Sequence, residues 1–229
     1  MAEQTPHWFN HFALVAFTAD YWREPPDARR AIVCGWIERL RAATDAVHLY
    51  QTFGVEAGTD LLAWSAAAGD DPLIPARFFT AFAQALVTAR RYVTVPTALW
   101  GLTKPSQYTK TRSTQELDPL APARAPYLVM YPFTKTSSWY QLPGDERRRM
   151  MMDHIKVGKQ YEDITQLLLY STGLQDQEFV VVYETDDLLR FSSLVTELRS
   201  TEGRPYTERD TPLHTAIHLP DSDALMRWL

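Results

Sequence analysis

Cysteine is almost absent from this chain: Cys34 is the single thiol in 229 residues. That excludes an internal disulfide and any multi-cysteine metal centre, and it fits a reducing compartment, with Cys34 read as a small apolar residue of a buried helical pattern. Also missing is any run approaching the roughly eighteen apolar residues of a membrane-spanning helix. The first residues, MAEQTPHWFNHFALVAF, have neither the basic n-region nor the long apolar core of a secretory signal. The expectation is a soluble cytoplasmic protein with no membrane partner. Clustered positive charge is lacking too: 23 Lys and Arg stand against 28 Asp and Glu, leaving a formal charge of −5 with both signs interspersed. Nucleic acid is therefore not expected as a partner, since phosphate binding needs a basic patch.

What is present is a large apolar inventory, 45% of the residues, enough for one large domain or two fused small ones. Residues 8 to 19 read as a strand, and Pro25-Pro26-Asp27 opens a helix to about Ala46 with Ile32, Trp36, Ile37 and Leu40 inward. VHLYQTFGVE and TDLLAWSAAA follow as a pair of strands, with Ala57-Gly58 between them as the hairpin signal. A second helix runs from Pro75 to about Tyr92, with Phe78, Phe79, Phe82, Leu86 and Ala89 at helical spacing, and VPTALWGLT closes as a strand. The second half repeats the order: strand 126 to 135, helix 144 to 160, strands near 163 to 171 and 177 to 185, helix 187 to 200, strand 212 to 219. Twice βαββαβ with antiparallel pairing predicts an α+β fold of two fused ferredoxin-like units. The units are expected at 1–102 and 126–229, joined by a polar, proline-containing linker at 103–125. Linkers of that length are more often functional or disordered than incidental.

The chemistry gathers between residues 126 and 186. Met150, Met151, His154, Val157 and Gly158 recur at steps of three and four, so His154 falls on an apolar helix face. A neutral core histidine bonded to a backbone carbonyl is the bland reading. An apolar wall with room at Gly158 for something flat instead suits an axial ligand to a haem. On the preceding strand, Tyr131 and Lys135 are four residues apart and share a face if the extension is regular. His7 and His11 lie among aromatics with no third ligand in view and are read as structural.

Tyr131-Pro132-Phe133-Thr134-Lys135, the ERRRMMMDH helix from Glu146 to His154, and Gly158 with Tyr161 together resemble the chlorite dismutase-like haem protein family, specifically its coproheme decarboxylase branch. STGLQDQEFVVVYETD and LRSTEGRPYTERDTPLHT resemble that family's acidic hairpin and closing segment, so the likeness spans roughly residues 98 to 219. The resemblance implies a dimeric α+β barrel arrangement within one chain, assembled as a homopentamer. It implies His154 as the iron ligand, and Tyr131 and Lys135 as the catalytic phenol and ammonium. Gln166, or Leu167 in the neighbouring register, would face the iron from the distal side. Arg199 would sit near the porphyrin carboxylates, Trp139 beside the pocket, and Ser106-Gln107-Tyr108 near its entrance, where Lys104, Lys110 and Arg112 would suit propionates. Glu202 would accept the proton of the outward His154 nitrogen. Ile155 departs from the family, many members of which have glycine there.

The activity so implied is hydrogen-peroxide-dependent oxidative decarboxylation of iron-coproporphyrin III (coproheme) to haem b, with the iron porphyrin as substrate and redox cofactor at once. Tyr131 would pass through a radical that takes hydrogen from a propionate, and Lys135 would hold the reacting carboxylate. Two other readings stand beside it. One is chlorite or peroxide breakdown by a haem enzyme, weakened because no arginine occurs between Arg149 and Arg190. The other is a non-catalytic haem-binding or delivery protein, for which a phenol and an ammonium on one strand would have no use.

Overall fold

The computed structural model describes residues 7–105 and 114–228, except for the side chain of Ser222. In chain order the elements are β1 (Trp8–Phe17), α1 (Ala19–Arg23), α2 (Pro26–Ala42), β2 (Ala46–Gln51), β3 (Leu61–Ala68), α3 (Ile74–Ala89) and β4 (Val93–Leu102). Then come β5 (Tyr127–Lys135), α4 (Ser137–Gln141), α5 (Gly144–Gly158), β6 (Thr165–Tyr170), β7 (Phe179–Thr185), α6 (Leu188–Leu198), β8 (Thr207–Arg209), β9 (His214–Leu219) and α7 (Ser222–Met226). They divide into two compact units, the first comprising residues 1–103, 119–124 and 215–229, the second 104–118 and 125–214.

In the first unit the strand order is β4-β1-β3-β2-β9, with β3 central and every pairing antiparallel. One face of β1, carrying Phe9, Ala13, Val15 and Phe17, packs under α2 and α3, whose Trp36, Leu40, Phe78 and Phe82 complete the core. His11 shares that face, 4.7 Å from the Phe82 ring and 5.0 Å from that of Phe78, and burial lowers its pKa to about 4. Gly58 between β2 and β3 has φ +81°, left-handed backbone that glycine adopts without a Cβ clash. The expected α+β class and the βαββαβ order of this unit are what the chain forms.

The second unit is a sheet ordered β6-β7-β5-β8, antiparallel throughout, with α5 and α6 supplied by the intervening segments. Its make-up departs from the expected 126–229. Residues 217–219 of the last strand pair with β2, as in Leu49↔Leu219, and 215–229 fall in the first unit. The expected linker is likewise shared, with 104–118 in the second unit and 119–124 in the first. A pattern of alternating side chains fixes a strand's faces but not its partner, so the pairing of the last strand with β2 has no local signal in the sequence.

Candidate active site

β5 places Val129, Tyr131 and Phe133 on one face by simple alternation. Pairing across the sheet puts Tyr183 opposite Val129, Val181 opposite Tyr131 and Phe179 opposite Phe133. The next pairing sets Gln166 opposite Tyr183 and Leu168 opposite Val181. Directly opposed residues of antiparallel strands share a face, so Gln166 looks out on the Tyr131 side while Leu167, 3% exposed, is buried on the other. Phe191 and Leu194 of α6 close the end of this face nearest Val129 and Tyr183. Toward Leu168 it opens, that side chain being 39% exposed.

Lys135 ends the strand where the β5–β8 register shifts. Its amide donates to Glu178 Oε2 at 2.8 Å and its ammonium to Thr207 Oγ1 at 3.3 Å. The ammonium lies 4.7 Å from the Trp139 ring and 5.9 Å from the Phe133 ring, so aromatic faces hold it in place of water. Burial, and then the Arg204 guanidinium, bring its pKa down to about 8, against a smaller opposing pull from Glu178. Trp139, itself buried, packs against Tyr206 with ring centroids 5.6 Å apart.

His154 sits on the less exposed stripe of α5 with Met150, Met151, Val157 and Gly158. Burial and the nearby Lys135 charge lower its pKa to about 4, against a weaker opposite effect of Asp153. The imidazole is thus neutral near pH 7, the form that binds metal. Glu202, expected to receive the outward ring proton, is instead paired with Arg149 at 2.5 Å on the exposed side. Two exposed charges free to meet in water satisfy each other at little cost, so Arg149 captures the carboxylate.

Arg199 caps the C-terminus of α6 and is exposed. Its charge and that of Arg204 favour the ionised form of the Tyr131 phenol, while burial, the dominant influence, and Asp210 disfavour it; on balance the pKa is raised. Arg204 and Asp210 form an ion pair. The sequence reading did not single out Arg204, Asp210, Thr207, Glu178 or Tyr183, although the first three fall within its closing segment. Tyr183 is visible only once the β5–β7 register is known. Tyr108, with Ser106, Gln107, Lys110 and Arg112, lies outside the described residues. Lys104 rests over the Tyr170 ring at 5.3 Å.

The family model described as chlorite dismutase matches residues 29–219. The chain belongs to the chlorite dismutase family. Among its relatives is a coproheme decarboxylase of Thermus thermophilus, 30% identical over 97% of this chain and 93% of that protein. Another is a coproheme decarboxylase of Mycolicibacterium smegmatis, 28% identical over 73% of this chain and 70% of that one. A mutant chlorite dismutase from Candidatus Nitrospira defluvii superposes with a TM-score of 0.83 at 22% identity, covering 96% of this chain and 95% of its own. The imidazole complex of that organism's chlorite dismutase gives 0.76 at 20% identity, over 96% and 94% of the two chains. These structural likenesses bear on the fold alone.

The residues fit the iron porphyrin that the family resemblance implies. Among the described residues no cluster of three or more His, Cys, Asp or Glu side chains could hold a metal ion. A lone neutral imidazole therefore suits a metal whose other ligands come with it, as a porphyrin's do. A Cβ built on Gly158, one turn after His154, would meet nothing within 4 Å, so the helix face that carries His154 is open at that position.

Proposed function

We propose that the protein is a hydrogen-peroxide-dependent coproheme decarboxylase that converts iron-coproporphyrin III to haem b. The observation that carries this reading is one cluster in the second unit: a phenol, Tyr131, and an ammonium, Lys135, on β5, with the charge of Lys135 felt at the neutral imidazole of His154. His154 would bind the iron, and Gln166, on the Tyr131 face of the sheet, would line the distal side. Bound there, the iron porphyrin supplies the electron-accepting centre that peroxide recharges. Tyr131 gives up an electron and its phenolic proton, and then takes a hydrogen atom from the β-carbon of a propionate. Carbon dioxide leaves as the second electron passes on, and a vinyl group remains. Each propionate consumes one peroxide and yields one carbon dioxide and two waters. Lys135 holds the reacting carboxylate as a compact charge, while Arg199 and Arg204 add positive charge for the remaining ones.

The test is addition of ferric coproporphyrin III followed by stepwise peroxide, with mass analysis of the porphyrin. Loss of two carboxyl groups is expected, and an unaltered porphyrin rejects the reading. Chlorite breakdown is the second reading, and it is disfavoured because no arginine lies between Arg149 and Arg190 to stand over the iron. Rapid sustained oxygen release from chlorite would reverse that ranking. The same reading carries a ring of five chains and a cytoplasmic location, checked by light scattering and by cell fractionation.

A further inference from the structure

Gln115 is a buried polar side chain with an unusual set of partners. Its amide nitrogen lies 3.2 Å from the carbonyl oxygen of Gly158, 2.8 Å from that of Tyr161 and 3.3 Å from that of Ile164. Helix ends leave their last carbonyls without intrahelical donors, and here one side chain from a distant segment serves the last residue of α5 and the turn beyond it. The backbone of the same residue is committed elsewhere. Its carbonyl accepts from the Gln166 amide at 2.8 Å, and Leu117 donates back to the Gln166 carbonyl at 2.9 Å.

The opposite side of the turn is pinned as well. The Tyr161 hydroxyl donates to Glu197 of α6 at 2.6 Å, the Arg190 guanidinium lies 4.8 Å from the Tyr161 ring centroid, and Arg190 Nη2 donates to the Gln160 carbonyl at 3.2 Å. Those contacts fix α5 to α6. Gln115 joins the α5 end to β6, and it does so at the strand position of Gln166.

We infer that Gln115 is a positioning residue: by clamping the Gly158, Tyr161 and Ile164 carbonyls while its backbone pairs with Gln166, it fixes the helix that carries His154 relative to the strand that carries Gln166. The inference rests on the haem reading above, since it concerns the two residues assigned to opposite sides of the iron. A connecting segment that sets this spacing would couple its own docking to the strength of the bond from His154.

The test uses the full chain with Gln115→Met, which keeps volume and removes the donors, and Gln115→Glu, which keeps shape and turns the donors into acceptors. In the ligand-free protein, amide exchange at Tyr161 and Ile164 should accelerate about tenfold in both variants, local opening being read directly by exchange. With coproheme bound and reduced, the iron–histidine stretching band should shift from its parent position. A lowered thermal midpoint with the parent's stretching band would reduce Gln115 to a structural role and overturn the inference. If the parent takes up no ferric coproporphyrin, the haem reading falls and the inference falls with it. If the parent binds and neither exchange nor band differs in the variants, only the role of Gln115 is rejected.

Discussion

Tyr183, buried on β7, stacks beside Tyr131 with ring centroids 6.2 Å apart and planes 28° from parallel. Tyr183 acts on the Tyr131 phenol as a donor and lowers its pKa, against the larger upward push of burial. Tyr183 is held well above its ordinary range, by burial first and then by Tyr131, so it remains a donor. A phenol that is oxidised must also release its proton, and a donor at its oxygen stabilises the deprotonated product.

Tyr183→Phe should therefore bind ferric coproporphyrin as the parent does and make haem b roughly fivefold more slowly, the rate equivalent of about 1 kcal/mol. Single-turnover mass analysis checks this. An unchanged rate would leave the pair a packing contact.

The Lys135 ammonium should make porphyrin binding pH-dependent. With a pKa near 8 in the folded protein, its charge is present below that value and lost above it, so affinity for ferric coproporphyrin should fall as pH rises through about 8. Lys135→Met should bind weakly and without that step. Stability should run the other way. Between about 8 and the ordinary value of 10.5 the unfolded chain holds a proton that the folded one has released, so stability rises with pH across this window. Denaturant titrations at both ends should show the rise in the parent and its loss in Lys135→Met.

His154→Ala removes the one imidazole on a face that otherwise offers Met150, Met151 and Val157. Affinity for the ferric porphyrin should drop about tenfold or more, the equivalent of about 1.4 kcal/mol, with loss of the five-coordinate high-spin spectrum. An unchanged spectrum would return His154 to the core. The ligand-free protein offers a separate check. His154 and His11 both have pKa values lowered to about 4, so between 6.5 and 4 the unfolded chain takes up protons that the folded chain refuses. Stability therefore falls as pH falls through that window, and His154→Ala should make the fall shallower, with the remainder due to His11.

The helix face around His154 and the alternation that sets Tyr131 beside Phe133 were legible in the sequence because each is a local period, 3.6 or 2 residues, written in consecutive side chains. Gly58 was legible for a similar reason, the turn needing a backbone that few other residues adopt. The three residues of β8 and the five of α4 carry too few positions for a period to register, although they bring Thr207 and Trp139 to the Lys135 ammonium. Choosing between Gln166 and Leu167 needed the β6–β7 register, a non-local fact. The partner of Glu202 is likewise not legible in the sequence, because the choice of Arg149 is made in space.

Tyr131→Phe is expected to bind coproheme and to stop there, and it separates the decarboxylase reading from simple porphyrin binding. The ring volume is kept, so β5 should pack as before beside Val181 and Tyr183, at a stability cost of about 1 kcal/mol for the lost hydroxyl hydrogen bond. What disappears is the phenol that can be oxidised next to the substrate carboxylates. Tyr127 shares the strand and its parity but lies about 13 Å away along an extended chain, out of reach of the same carbon. Tyr183 is nearer, yet it is buried and α6 packs on it through Phe191, ring centroids 5.2 Å apart, so it is not expected to replace Tyr131. Peroxide added to the Tyr131→Phe complex should leave all four carboxylates in the mass spectrum. Haem b formed at the parent rate would remove the radical role from Tyr131 and leave the site only its capacity to bind a porphyrin.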